Sequence, residues 1–400
     1  MEKYLNLSYG TIQGTYWMYY GVIMSFASVF LLSKNYTNSE IGIILAAANI
    51  LAVILQPLLA DIADKSRKAS LTDITGIITI GLLIATASLN IFITKSLILS
   101  IIFIMLGAWL TVLQPLINSM AFYLSRSGYL INFGITRSGG SIAYAVLCAI
   151  LGSLVTIYGI QAIPTTGIVI LILLLLSLVI TNKLYKRTAM DNSIDINIEK
   201  NINNKEISLK DFVKRNKFFI IFTISIVLVF FQNSVFNSYL MQIITAVGGN
   251  SSQMGRLFSF MALLELPGLI FFSKLKKKFS CQFMLKVASV AFTFKVFLAF
   301  MATSVAYIYV AFLFQLISFP IFLSASVHLV DEVMEKGEAV KGQSFITGMM
   351  TLSSVFASLL GGAVLDLSGA SLLLLISTVL AVIGTFIVIF TVDKIKSKHS

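Results

Sequence analysis

Runs of about 20 apolar residues recur along the whole length of this 400-residue chain, and they restrict its fold more than any other feature. A helix needs roughly 20 such residues to cross the hydrocarbon core of a bilayer. Twelve runs can be read, at about 8–33, 41–60, 72–93, 97–124, 134–158, 162–182, 218–247, 253–273, 283–303, 306–329, 343–365 and 370–392. Strands of a membrane barrel need only about 10 residues and alternate strictly. These runs are longer and do not alternate, so they are expected to be helices. Charged residues make up 12% of the chain, against about 25% in soluble domains, and no stretch is left for a sizeable soluble domain. The expected fold class is an all-α membrane protein with twelve transmembrane helices.

The runs divide six and six around a polar, charged segment. The expected domains are therefore residues 1–183, a cytoplasmic linker at 184–216 with room for one short amphipathic helix, and residues 217–400. Two six-helix bundles suit a transporter built from repeats, with a solute site near the midplane. Direct similarity between the halves is not visible in the residues themselves.

The net charge of +12 raises the question of nucleic acid. Its distribution answers it. Most Lys and Arg residues fall on alternate connections: Lys65, Arg67 and Lys68, then the linker, then Lys274 to Lys278, then the C-terminal tail. This bias places those connections and both termini in the cytoplasm, and the partner is a lipid bilayer rather than nucleic acid. A cell inner or plasma membrane is the expected location. One lysine followed by a long first run argues against a cleaved signal peptide. Cys148 and Cys281 make no disulfide framework. His328 and His399 are the only histidines and join no cluster at metal spacing, there is no phosphate-binding Gly-rich loop, and no nucleophile has a histidine beside it. The sequence thus implies no metal, no cofactor and no enzyme.

Three charges fall inside apolar runs: Arg137, Glu265 and Lys295. An ionised group at membrane depth costs about 2.5–3.5 kcal/mol even on the lenient insertion scale, so such residues mark functional sites. Glu265, in FMALLELPGLIFF, is the one carboxylate placed deep in a span; Asp73 and Asp366 lie at span ends. Desolvation and a nearby cation act in opposite directions on a carboxyl's proton affinity, which suits a proton carrier. Arg137 and Tyr144, in TRSGGSIAY, are seven residues apart and share a helix face. A guanidinium donates forked hydrogen bonds and an aromatic ring stacks on a ligand's apolar side. Gln13, Tyr16, Tyr20, Gln114, Gln232, Gln242, Gln343 and Thr347 are further candidates to line a cavity.

The segments NSEIGIILAAANILAVILQPL, PLINSMAFYLSRSGYLINFGITRSGGSIAYA, MATS after Lys295, and QLISFP together resemble the major facilitator superfamily. More narrowly, they are similar to the lactose-permease-like symporters and their phenylpropionate and nucleoside relatives. The resemblance runs end to end. It implies that Asp64, Lys65 and Arg67 belong to the signature gating loop, although Ala60 replaces its leading glycine and the second copy, SKLKKKFS, has no aspartate. It makes Arg137 the counterpart of the sugar-binding arginine and Tyr144 that of a stacking tryptophan. Asn118 stands where lactose transporters have a glutamate. Glu265 matches the eighth-span glutamate of binding and coupling, in a local form, Glu-Leu-Pro, closer to the nucleoside and phenylpropionate relatives. Lys295 takes the place of an arginine. Gln315 and Ser318 fall on the family's histidine and proton-carrying glutamate, and Ser234 and Asn237 replace its seventh-span acids. Glu265 is then left as the coupling group, with Arg137, Tyr144, Asn118, Asn237, Lys295 and Gln315 beside it as substrate-binding residues.

The resulting expectation is a monomeric secondary transporter. It carries a small polar organic solute (a sugar, oligosaccharide or nucleoside) by proton-coupled symport and alternating access. Organic-anion uptake, drug or solute export, uncoupled diffusion and a non-transporting sensor are the alternatives. The topology is directly testable. Single cysteines at Ser193 and Ser397 are expected to resist an impermeant thiol reagent in intact cells, and one at Asn35 to react; external labelling at Ser193 would overturn the orientation.

Overall fold

The structure, a computed structural model, describes residues 2–65, 71–125, 128–192, 209–334 and 338–395. All regular structure among them is helical. The elements are α1 (Glu2–Tyr20), a π turn (Gly21–Ser25), α2 (Ala27–Ser33), α3 (Asn38–Lys65), α4 (Leu71–Ser88), α5 (Leu97–Ser125), α6 (Phe133–Tyr158), α7 (Ala162–Asn192), α8 (Leu209–Arg215), α9 (Lys217–Ala246), α10 (Ser251–Lys276), α11 (Cys281–Phe300), α12 (Val305–Phe312), a 3-10 turn (Leu313–Ile317), α13 (Phe319–Val333) and α14 (Ala339–Thr391).

Ten of the described helical stretches are long and apolar enough to cross a membrane, and the pair Glu2–Ser25 and Ala27–Ser33, bent by 43°, makes an eleventh. The 53 residues of α14 would extend about 80 Å at 1.5 Å per residue, far more than one crossing. Gly369 divides them, with φ 76° and ψ −173°. Such a conformation belongs to glycine. With that division the expected twelve spans are present, each within a few residues of its apolar run.

By compactness the described chain forms two units, residues 1–199 with 250–262, and residues 200–249 with 263–400. In the first, α1 packs on α6 and α7, α3 on α5, and α4 on α7. One corner is tied by polar contacts: Lys34, at 3% exposure, donates to the Phe92 carbonyl at 2.6 Å, and Tyr36 donates to the Ser96 carbonyl at 2.8 Å. In the second unit, α9 packs along α14, and α11 along α13 and α14. A core of phenylalanines, including Phe219, Phe222, Phe230, Phe292 and Phe322, fills its interior. The short helix α8 is held to this unit by Phe212, whose ring lies 5.4 Å from that of Phe345, and by Arg215, 3.4 Å from the fully buried Glu338.

The halves share local devices that their residues conceal. The first span breaks at Phe26 (φ −102°, ψ 11°), and α9 breaks at Tyr239 (φ −129°, ψ 22°). Nine residues after each break comes a left-handed residue, Asn35 (φ 67°) and Gly248 (φ 80°). Two residues later, each next helix starts with a reciprocal capping box. The Thr37 and Glu40 side chains accept from each other's backbone N–H at 3.2 and 2.9 Å. Asn250 and Gln253 do the same at 3.0 Å each. Gly159, between α6 and α7 (φ 77°, ψ −172°), repeats the backbone of Gly369. Similar backbone is thus encoded by different residues.

Gly369 has open space around the position a Cβ would occupy, as does helical Gly76. Gly369→Ala therefore tests backbone strain alone. It is expected to destabilise the protein by about 1–3 kcal/mol, read as a lower melting temperature, while Gly76→Ala leaves it unchanged or raises it.

Candidate functional site

In the first unit, Gln13, Tyr16, Trp17 and Tyr20 fall at i, i+3, i+4 and i+7 on α1 and so share one face. The Trp17 ring lies 5.3 Å from that of Tyr16, at 84°, and 5.2 Å from that of Tyr20. On α6, whose first turn is capped by Asn132 accepting from the Ile135 N–H at 3.1 Å, Arg137 reaches across to this stripe. Its guanidinium carbon is 3.9 Å from the Trp17 ring centroid, and Nη1 donates to Ser141 Oγ at 3.1 Å. A cation–π contact between half-buried groups stabilises by about 1 kcal/mol. Gly140 makes room for it, since a Cβ there would stand 2.7 Å from Trp17 Cδ1.

Gln13 is fully buried and joins α1 to α5. Its Nε2 donates to Tyr9 Oη at 2.7 Å and to Asn118 Oδ1 at 3.2 Å, and Tyr9 Oη donates to the Ile117 carbonyl at 3.1 Å. Arg137 and Asn118 therefore both engage the α1 stripe. Tyr144 is placed differently: its hydroxyl meets Ser25 Oγ, 2.7 Å away, in the π turn of the first span. The aromatic face under Arg137 is that of Trp17, which the sequence reading passed over. The Gln-x-x-Tyr-Trp-x-x-Tyr spacing was the available signal.

In the second unit the other two buried charges lie on one hydrogen-bonded line. Lys295, on α11, has no exposed surface. Its Nζ donates to Gln315 Oε1 at 2.9 Å and to Asn233 Oδ1 at 3.4 Å, and lies 5.0–5.5 Å from the centroids of Phe236, Phe292 and Phe312. The other end of the same amide, Gln315 Nε2, donates to Glu265 Oε1 at 2.8 Å. Glu265 is half-buried. Asn237 on α9, expected among the substrate-binding residues, is exposed, and Asn233, one turn earlier, meets Lys295.

The break between α12 and α13 places Gln315. Pro320 has no N–H to give the Leu316 carbonyl, so a continuous helix would lose that bond. The chain instead forms the 3-10 turn Leu313–Ile317 and passes through Ser318 at φ −94°, ψ −83°. Gly268, one turn beyond Glu265 on α10, lets the two elements meet: a Cβ there would lie 2.6 Å from Pro320 Cγ and 3.0 Å from the Leu316 carbonyl. Glu-Leu-Pro-Gly on α10 and Gln-Leu-Ile-Ser-Phe-Pro at the break are thus complementary surfaces. Of the expected gating residues, Asp64 and Lys65 fall in the last turn of α3, and Arg67 lies outside the described residues.

Residues 9–376 match the model of the MFS_1 like family. The chain belongs to this family of the major facilitator superfamily. Its fold agrees with solved transporters of that superfamily. A mutant form of the nucleoside transporter NupG superposes with a TM-score of 0.80 at 15% identity, covering 97% of this chain and 99% of that one. A bacterial homologue of the human lysosomal transporter Spinster, inward-facing and unoccupied, gives 0.71 at 14% identity, covering 98% and 97%. PepTSo, a POT family transporter, gives 0.72 at 9% identity, covering 97% and 96%. At these identities the likeness is one of fold. No match was found among curated protein sequences. The chain is a multi-pass membrane transporter, not an enzyme.

Gly268→Ala is expected to push α10 off the α12–α13 break and lengthen the Gln315–Glu265 contact. Overpacking of this kind costs about 1–3 kcal/mol, visible as a lower melting temperature. A variant with unchanged melting behaviour would show that the close approach carries no weight.

Proposed function

We propose that this transporter is a proton-coupled symporter of a small polar organic solute, of the sugar, oligosaccharide or nucleoside class, working by alternating access. The observation that carries this reading is the line Lys295–Gln315–Glu265 at membrane depth. Lys295 fixes the amide oxygen, so the amide NH2 is aimed at the carboxyl. Either an ionised carboxylate or the carbonyl oxygen of a protonated carboxyl can accept from it. Gln315 can therefore stay in place whether or not Glu265 carries a proton.

Solute recognition is assigned to the Arg137 cluster, with Asn118 beside it, and to Tyr144 and Glu265. The fold likeness to a nucleoside transporter supports nucleosides within the proposed class. The positive-inside pattern supports a cell inner or plasma membrane with both termini and residues 184–216 in the cytoplasm. A single chain holds all the proposed parts, so the working unit is a monomer.

Glu265→Gln preserves shape and hydrogen bonding and removes the titration. In vesicles with an imposed pH gradient, the variant is expected to lose uphill accumulation while exchange across the membrane persists. Undiminished proton-driven accumulation would place the coupling elsewhere. Arg137→Lys keeps the charge but not the planar guanidinium, and is expected to weaken solute binding at least tenfold.

A further inference from the structure

Two polar atoms in the Arg137 cluster are buried without a hydrogen-bond partner among the described residues: Gln13 Oε1 and Trp17 Nε1. Leaving such groups unsatisfied is costly, so a native chain that keeps two of them side by side calls for an explanation. They sit at i and i+4 of α1, where side chains are neighbours with about 5–6 Å between their Cβ atoms. Neither can readily turn to another partner. The Gln13 amide is oriented by its Nε2, which holds both Tyr9 Oη and Asn118 Oδ1. The Trp17 ring is fixed between Tyr16 and Tyr20 and covered by Arg137. Gln13 is fully buried, whereas Trp17, Asn118, Arg137 and Ser141 are only half-buried, so the cluster reaches the edge of the unit's interior.

The geometry points to Gln13 and Trp17 as a recognition pair for a solute group that donates and accepts at once, a hydroxyl or an amide on a neutral ring. The inference rests on the reading of this cluster as a solute site and narrows the solute class. The indole N–H only donates, and the Gln13 oxygen only accepts. A hydroxyl between them accepts from Trp17 and donates to Gln13, and an amide does the same with its two ends. A carboxylate or phosphate can take the Trp17 and Arg137 donors, but it sets lone pair against lone pair at Gln13 Oε1. The pair therefore selects neutral hydroxylated or amide-bearing solutes over organic anions. A site that hydrogen-bonds a substrate group rejects analogues lacking it, because its own polar atoms are then left unpaired.

The test uses the purified full chain, with uridine, adenosine and lactose as neutral probes and 3-phenylpropionate as the anion, by calorimetry and thermal shift. At least one neutral probe is expected to bind and the anion not. Trp17→Phe keeps a ring under Arg137 and removes only the N–H. It is expected to weaken that binding about three- to tenfold, the range of one net hydrogen bond. A second measurement does not depend on that variant's folding. The chain has two tryptophans, Trp17 and Trp109, so Trp109→Phe leaves Trp17 as the sole indole, and the bound neutral probe is expected to change its emission. Preference for 3-phenylpropionate, no binding of any neutral probe, or unaltered affinity in Trp17→Phe with silent Trp17 emission each overturns the inference. If Arg137→Lys still weakens binding at least tenfold in that last case, the solute-site reading stands and only the pair is wrong. If Arg137→Lys is also without effect, the site reading falls with it.

Discussion

A buried ammonium with no exposed surface is the condition around which the second unit is arranged. Lys295 at membrane depth needs acceptors, and the chain supplies two amide oxygens and a ring of three phenylalanines. One of those amides sits on the 3-10 turn at the break before Pro320. The break, the missing Cβ at Gly268 and the carboxyl of Glu265 are then parts of one solution. Each would be a defect alone: a helix interrupted, a glycine inside a span, an acid in an apolar run. Together they connect opposite charges through a satisfied line of hydrogen bonds, the form in which buried polar groups are tolerated.

The first unit solves its version of the problem with aromatic surface. Arg137 lies against an indole rather than deep among amides, and Gly140 makes the approach possible. The two units also share a backbone plan. Breaks at Phe26 and Tyr239, left-handed residues nine positions on, and capping boxes two positions after that recur with the same spacing. Asn and Gly serve the left-handed position because both tolerate it; Thr–Glu and Asn–Gln serve the capping box because each pair offers the required acceptors. A repeat conserved in conformation but written in interchangeable residues escapes a reading by letters.

This explains which features were legible beforehand. The spans were, because about 20 apolar residues state their own purpose; even the division of α14 could be read as two runs meeting near Gly369. The family was legible from several segments in register, and the three intramembrane charges from their cost. The neutral side chains that meet those charges were not. Trp17 was hidden because a tryptophan in an apolar run reads as packing, and nothing in the chain announces that α1 faces α6. Asn233 and Asn237 are one turn apart, and only the rotation of α9 about its axis, set by packing against α14, decides which of them meets Lys295. Gln315 does not titrate, and its place in the sequence does not tell that the two ends of its amide, one accepting and one donating, join Lys295 to Glu265.

That amide has a kinetic consequence. Oppositely charged groups in direct contact must be pulled apart before either can trade its proton, and in an apolar interior that separation is slow and costly. Across the spacer of Gln315 the ammonium and the carboxyl attract each other without touching. In the proposed proton cycle, Glu265 can then change its charge without a contact ion pair having first to be pulled apart.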